Sequence, residues 1–348
     1  MGLEQGKTRR RHALALLFAL LPLFAGPPAH SGPRCRALLE KIRTAARFLL
    51  PTLKTHGSVD GVHIAENHPV YRLETARVVA GQLDGWEGSI AAIPNKGTSN
   101  AGTYLLKTAS GDASVMRVLP QEVNARVPTF FLNSIEGMAL QSLEGGPAIL
   151  DYGTVITDAG RRRFFIRMEC LFCGQRAENL KDLDYGAENL VSRLELQHHD
   201  ILGRFGDGLA TAFADHILPA DPDFFISETG EVRWLDGERW KAVEHLRPMA
   251  YEFAEAFWTL FEYSKRAMSA HPELWPAASR SFLMRFFTRI RMSTALTPAE
   301  KSALLSQILR GKAALDYRMF NSGKSIPPHE VDELYRLTVD FYKKNFRD

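Results

Sequence analysis

Cysteine is scarce in this chain of 348 residues: Cys35, Cys170 and Cys173 are too few for a disulfide framework, so the fold has to rest on an apolar core. Cys170 and Cys173 form one C-x-x-C with no second pair to complete a zinc site, which leaves a local disulfide, two buried thiols or a metal as readings. Repeats and low-complexity tracts are missing too, which excludes solenoids and extended disordered arrays. Long apolar runs are lacking: Ala13 to Ala25 spans 13 residues, short of the roughly 20 that cross a bilayer.

That short run has a specific setting. Lys7, Arg9, Arg10 and Arg11 precede it and Gly26-Pro27-Pro28-Ala29-His30-Ser31 follows, the charged, apolar and small-residue order of a secretory signal. Residues 1–31 are therefore expected to direct the chain to a secreted, secretory-pathway or periplasmic location, with no integral span after cleavage. The leader also accounts for the charge. Of 43 Lys and Arg and 40 Asp and Glu it holds four and one, leaving 39 of each, a balance that gives no footprint for nucleic acid or an anionic surface.

The stretch that organises the rest is His216 to Glu238, HILPADPDFFISETGEVRWLDGE. Phe224 to Ile226 and Val232 to Leu235 read as two strands around a turn at Glu228-Thr229-Gly230. Asp223 and Asp236 then stand at one rim of a hairpin. Two such carboxylates suit Mg²⁺, a hard cation that takes one or two protein carboxylates and completes its shell with substrate phosphates.

These residues resemble the catalytic and metal-binding loops of the protein-kinase-like superfamily, in particular its small-molecule branch of aminoglycoside and choline phosphotransferases. His216 takes the place of the family His, Asp223 stands where Asn is usual, and Asp236-Gly237-Glu238 is similar to D-x-E. The spacings are 13 residues from Asp223 to Asp236 and 20 from His216 to Asp236. One position departs: Leu218 stands where the family has its catalytic Asp. The resemblance implies a retained metal clip at Asp223 and Asp236 and a lost base, with Asp221 or His216 as candidates to replace it. A carboxylate restored at 218 is expected to raise the rate of transfer.

The resemblance extends to residues 86–174, read as a small antiparallel N-lobe and hinge. Strands are expected at Trp86 to Ile93, Gly102 to Thr108, Ala113 to Val118, Pro147 to Gly153 and Phe164 to Cys170. The turn Asn95 to Asn100 supplies Gly97, Ser99 and Asn100, whose backbone N–H groups can hold a phosphate. Arg117 takes the place of the family's third-strand Lys, and Glu136, 19 residues on within an expected helix, the place of its ion-pair partner. Glu169 ends the last strand before the hinge.

Residues 32–85 read as an N-terminal extension, with a helix over 36–56 and strand-like pieces at Val59 to Ile64 and Tyr71 to Val79. Residues 175–348 read as a mostly helical C-lobe, with helices at Leu180 to Phe213, Glu244 to Met268, Pro276 to Met292, Pro298 to Leu315 and Pro328 to Phe346. The fold expected is α+β, two-lobed and protein-kinase-like, with its site between the lobes. The function implied is that of a divergent or pseudo-kinase, binding ATP with Mg²⁺ and transferring phosphate weakly or not at all. The alternatives are an active phosphotransferase acting on a small-molecule, glycan or protein hydroxyl, and a module that binds a protein partner without nucleotide.

Overall fold

A computed structural model describes residues 63–64, 78–83, 86–93, 102–108, 110–122, 128–157, 162–183, 186–311, 315 and 328–346. The leader, the expected helix over 36–56 and the turn carrying Gly97, Ser99 and Asn100 lie outside them. Two compact units divide the described chain: residues 63–139 with 147–173, and residues 140–146 with 174–346.

The first unit is a seven-stranded sheet with one helix. In chain order its strands are β1 (His63–Ile64), β2 (Val78–Leu83), β3 (Trp86–Ile93), β4 (Gly102–Thr108), β5 (Ala113–Glu122), β6 (Ile149–Thr157) and β7 (Arg162–Glu169). Across the sheet the order is β1-β6-β7-β5-β4-β3-β2, antiparallel except for the β1–β6 pair. β1 and β2, from the stretch read as an extension, are thus strands of this same sheet.

Helix α1 (Pro128–Leu143) supplies Ile135, Met138 and Ala139 to a core with Val115, Leu119, Ile149, Tyr152, Phe164, Ile166 and Met168. Alternate residues of β5 and β7 reach that core because strand side chains repeat every second position. Cys170 packs on its edge and is joined to Cys173 by a disulfide, which resolves the three readings of that pair.

The second unit is mostly helical: α2 (Leu190–Leu196), α3 (Ile201–Ala214), α4 (Ala250–Ala267), α5 (Trp275–Met292), α6 (Pro298–Arg310) and α7 (Pro328–Phe346). The aromatic stripe of α4 is core, as Phe253, Phe257, Trp258 and Phe261 are wholly buried. Phe257 packs against Phe282, Phe286 and Phe287 of α5. Where α3 crosses α5 the backbones nearly touch: a Cβ on Gly206 would lie 2.3 Å from the Phe282 carbonyl oxygen. The Thr297–Glu300 capping box opens α6, with Pro298 at the first helical position.

The small antiparallel sheet followed by a mostly helical part is the α+β organisation that the kinase resemblance implies. One continuous helix over Leu180 to Phe213 is not formed. That span instead opens with a 3₁₀ turn over Leu180–Asp182, directly after β8 (Ala177–Asn179), and then holds α2 and α3. The break between the helices falls at His198 and Asp200, whose φ angles of 61° and 53° are left-handed and cannot continue a right-handed helix. Asp200 holds that geometry by accepting from Ser281 and Arg285 of α5.

Candidate functional site

The hairpin forms as expected. β10 (Asp223–Ser227) pairs with β11 (Val232–Leu235) with Asp223 opposite Leu235, so Asp236 follows at the same rim. Gly230 takes φ 82° in the connecting turn, the region glycine enters without strain. An aromatic ladder fixes the pair on α3: Phe205 stacks on Phe224 at 4.7 Å and Phe224 on Trp234 at 3.9 Å, and Trp240 meets Trp234 edge-on at 4.9 Å. Asp236 has φ 62°, and the next residue must be glycine, because a Cβ on Gly237 would sit 2.5 Å from Gln141.

The other side of β10 pairs with β8, with Phe225 opposite Asn179. Two residues beyond that partner, Lys181 arrives beside Asp223, and its backbone N–H donates to Asp223 Oδ1 at 3.1 Å. Phe224 N–H donates to the same oxygen at 2.9 Å. The Lys181 ammonium lies 2.9 Å from Asp221 Oδ2, 2.9 Å from the Asp221 carbonyl oxygen and 3.9 Å from Asp236 Oδ2. Lys181 therefore reaches all three aspartates, Asp223 through its backbone N–H and Asp221 and Asp236 through its ammonium.

Nothing in the sequence pattern marks Lys181 as part of the site. It falls at the start of a span whose apolar spacing predicts helix, where a lysine is an ordinary surface residue.

Electrostatics set the three acids apart. Asp223 is 2% exposed, whereas the side chains of Asp221 and Asp236 are 45% and 41% exposed. Burial pushes the Asp223 carboxyl up to about 7; Lys181 and the two N–H donors pull against that rise, and Asp236 adds to it. Burial works against the Lys181 ammonium as well, but Asp221, Asp223 and Asp236 outweigh it and raise its pKa. The carboxylates outnumber the one ammonium, and because the Asp223 carboxyl, at about 7, is only part ionised at neutral pH, the cluster is net negative by less than two charges.

That donor set fits a divalent cation held in the manner of Mg²⁺, by two carboxylates and a ligand's phosphates. It does not fit an all-protein cage. Among the described residues no group of three or more His, Cys, Asp or Glu side chains is placed to hold a metal ion.

Of the two candidate bases, Asp221 lies in the cluster, with φ 60° and its carboxylate on Lys181. His216 is engaged elsewhere. Its Nδ1 lies 3.3 Å from the Glu244 carbonyl oxygen and its Nε2 3.6 Å from Glu300 Oε1. Burial alone would raise the Glu300 carboxyl, but hydrogen bonds from Thr297 and Leu246, with His216 nearby, hold it below the usual range. Leu218, in β9 (Ile217–Leu218), pairs with Lys241 of β12 (Lys241–Ala242) and is 4% exposed.

In the first unit Arg117 is half-buried on β5, between Thr103 and Ile166 of the flanking strands, and Glu136 is half-buried on α1. Glu169 Oε2 accepts from Ala148 N–H at 3.2 Å and its own N–H donates to the Ala148 carbonyl, which ties the end of β7 to the start of β6.

No family model matches the sequence, and no curated protein matches it. Among solved structures the chain is similar to amicoumacin kinase hAmiN in complex with AMP-PNP, Ca²⁺ and Ami, at 12% identity and a TM-score of 0.38, covering 82% of this chain and 91% of that one. At that TM-score the similarity says nothing of the chemistry, which has to be read from this chain's own residues. No helix among the described residues is long and apolar enough to cross a membrane.

Proposed function

We propose that this protein is a kinase-like binder of ATP with a divalent cation, Mg²⁺ in the cell, that transfers phosphate weakly or not at all. One observation carries the reading: the carboxylates of Asp221, Asp223 and Asp236 outnumber the single Lys181 ammonium among them and leave a net negative cluster that a divalent ion would balance. Asp223 and Asp236 would hold the ion, and the ion would neutralise the nucleotide's phosphate oxygens. Arg117, with Glu136 nineteen residues on, and Gly97, Ser99 and Asn100 are proposed as phosphate ligands.

Weak transfer follows from Leu218 and from the two candidate bases. An apolar side chain stands where the family places its base, Asp221 is engaged by Lys181, and the His216 ring is turned to the Glu244 carbonyl through Nδ1, with Nε2 facing Glu300. Loss of a positioned base costs roughly 10² to 10⁴-fold in rate. The Cys170–Cys173 disulfide supports an oxidising compartment, in keeping with the leader-like order of residues 7–31.

The test is thermal. Mg·ATP at about 100 times its Kd should stabilise the native protein by about 2.7 kcal/mol, which raises the melting temperature by roughly 4 °C for a chain of this length. Asp236→Ala should abolish that rise. A shift that persists in the variant would place the ion elsewhere, and no shift in the parent would remove the nucleotide from the account.

A further inference from the structure

We propose that an open pocket between α3, α5 and α7 binds a small amphipathic anion, its aliphatic or aromatic body on Met284 and Phe341 and its acidic group between Arg280 and Lys344. The pocket is separate from the aspartate loop. It opens at Asp200, just before α3, whereas the loop follows the other end of that 14-residue helix, about 21 Å away at 1.5 Å per residue.

Three separate features hold Asp200 in the pocket wall. Its φ of 53° is left-handed, which is uncommon for any residue but glycine. Ser281 donates to its Oδ1 at 2.5 Å and Arg285 to its Oδ2. Gly203 leaves the carboxylate room, because a Cβ there would lie 2.3 Å from Asp200 Oδ1 and 2.5 Å from Ser281 Oγ. Backbone held in this way persists only where its surroundings over-determine it, a condition that recurs at ligand sites.

With both oxygens engaged, Asp200 does not serve the other cations of the pocket. Arg280 donates through Nε to the Pro276 carbonyl at 3.0 Å. Among the described residues, neither its guanidinium nor the Lys344 ammonium makes an ion pair. Asp340 lines the pocket too, so the lining holds three cationic and two anionic side chains and is positive by one charge.

Apolar surface lies beside those cations: Met284 is 42% exposed and Phe341 is half-buried. The volume, about 590 Å³, falls within the range of small-molecule sites. A wholly apolar ligand would strip water from two unpaired charges, at a cost, and an inorganic anion would leave Met284 and Phe341 in water. An amphipathic anion meets both surfaces. A clamp between α3 and α5 accounts for Asp200, Ser281 and Arg285, but Arg280, Lys344 and Met284 take no part in it.

The experiment titrates two fluorescent probes into the full chain without nucleotide: anilinonaphthalene sulfonate, an aromatic anion, and phenylnaphthylamine, the same body without the sulfonate. The proteins are the parent, Arg280→Gln, Lys344→Gln, the double variant, and Lys343→Gln, which alters an exposed lysine of α7 outside the pocket. Thermal unfolding confirms that each is folded.

The parent should bind one sulfonate per chain. Each single variant at 280 or 344 should bind it about threefold more weakly, and the double variant at least fivefold more weakly, the range of partly exposed ion pairs. Lys343→Gln should stay within about twofold of the parent, and the neutral probe should bind all five proteins alike. No saturable sulfonate binding to the parent, or a loss of less than fivefold in the double variant, would overturn the proposal. Equal losses for both probes would overturn it as well, because the two cations would then be supporting the fold and not the acidic group.

Discussion

Asp223→Asn should make the nucleotide-free protein more stable than the parent at pH 8, with a difference that shrinks to about a third by pH 5 and vanishes below about pH 4. The cause is burial: the Asp223 carboxyl is 2% exposed and its pKa is pushed up to about 7, against about 3.9 in an unfolded chain. A folded-state pKa above the unfolded one means that the fold favours the proton. Stability tied to that proton is complete below about pH 4 and is lost as pH rises through 7.

A carboxyl raised from its unfolded value to about 7 carries about 4 kcal/mol as an upper figure, at about 1.36 kcal/mol for each tenfold change in proton affinity. A gain on the order of 2 to 4 kcal/mol at pH 8 is expected for the variant. Asn keeps the acceptor that matters, because Lys181 and Phe224 both donate to Oδ1 and Asn retains that oxygen. It also removes the charge that burial penalises, and Asn is the usual residue at this place in the family that the sequence resembles. Urea unfolding at pH 5, 6, 7 and 8, followed by tryptophan fluorescence, would read the difference. Four of the five tryptophans, Trp234, Trp240, Trp258 and Trp275, lie in the unit that holds Asp223. Parallel stability curves for the two proteins across that range would remove the buried charge from the account.

Leu218→Asp should have an effect as large and opposite. From the sequence, a carboxylate at 218 restores the family's base and should speed transfer. In the fold, the side chain is 4% exposed on a strand paired with Lys241 and begins one residue after wholly buried Ile217. An aspartate there must either lose its solvation or take up a proton, and in both cases the leucine's packing is lost. The variant should lose about 3 to 5 kcal/mol and gain no phosphotransfer. A soluble variant of near-parent stability that transfers phosphate at least tenfold faster would mean that Leu218 faces the reacting groups.

Much of the hairpin was legible because its signals are local. Alternating aromatics, a glycine in the turn and an acid at each end dictate both the pairing and the rim on which Asp223 and Asp236 meet. The capping box at Thr297 and the strand Trp86–Ile93 were readable for the same reason. The break before α3 was not, since α2 and α3 both turn apolar residues inward and their periodicity continues across His198 to Asp200. Only the left-handed backbone there ends the helix.

Lys181 was hidden by distance. It lies 42 residues from Asp223 in the chain and reaches it through β8, a strand of three residues that carries no periodic signal. His216 shows the converse limit. Its spacing suggests a base, but the partners that engage the ring, Glu244 and Glu300, lie 28 and 84 residues further on and could not be read from the motif.

Calorimetric titration of a non-hydrolysable ATP analogue, with Mg²⁺ and again with a chelator in its place, tests most directly whether this cluster serves a nucleotide and its cation. Saturable binding of one analogue per chain with Mg²⁺, weakened at least tenfold by the chelator and by Asp236→Ala, is the predicted result. Equal affinity with and without Mg²⁺, or no binding in either condition, would contradict it.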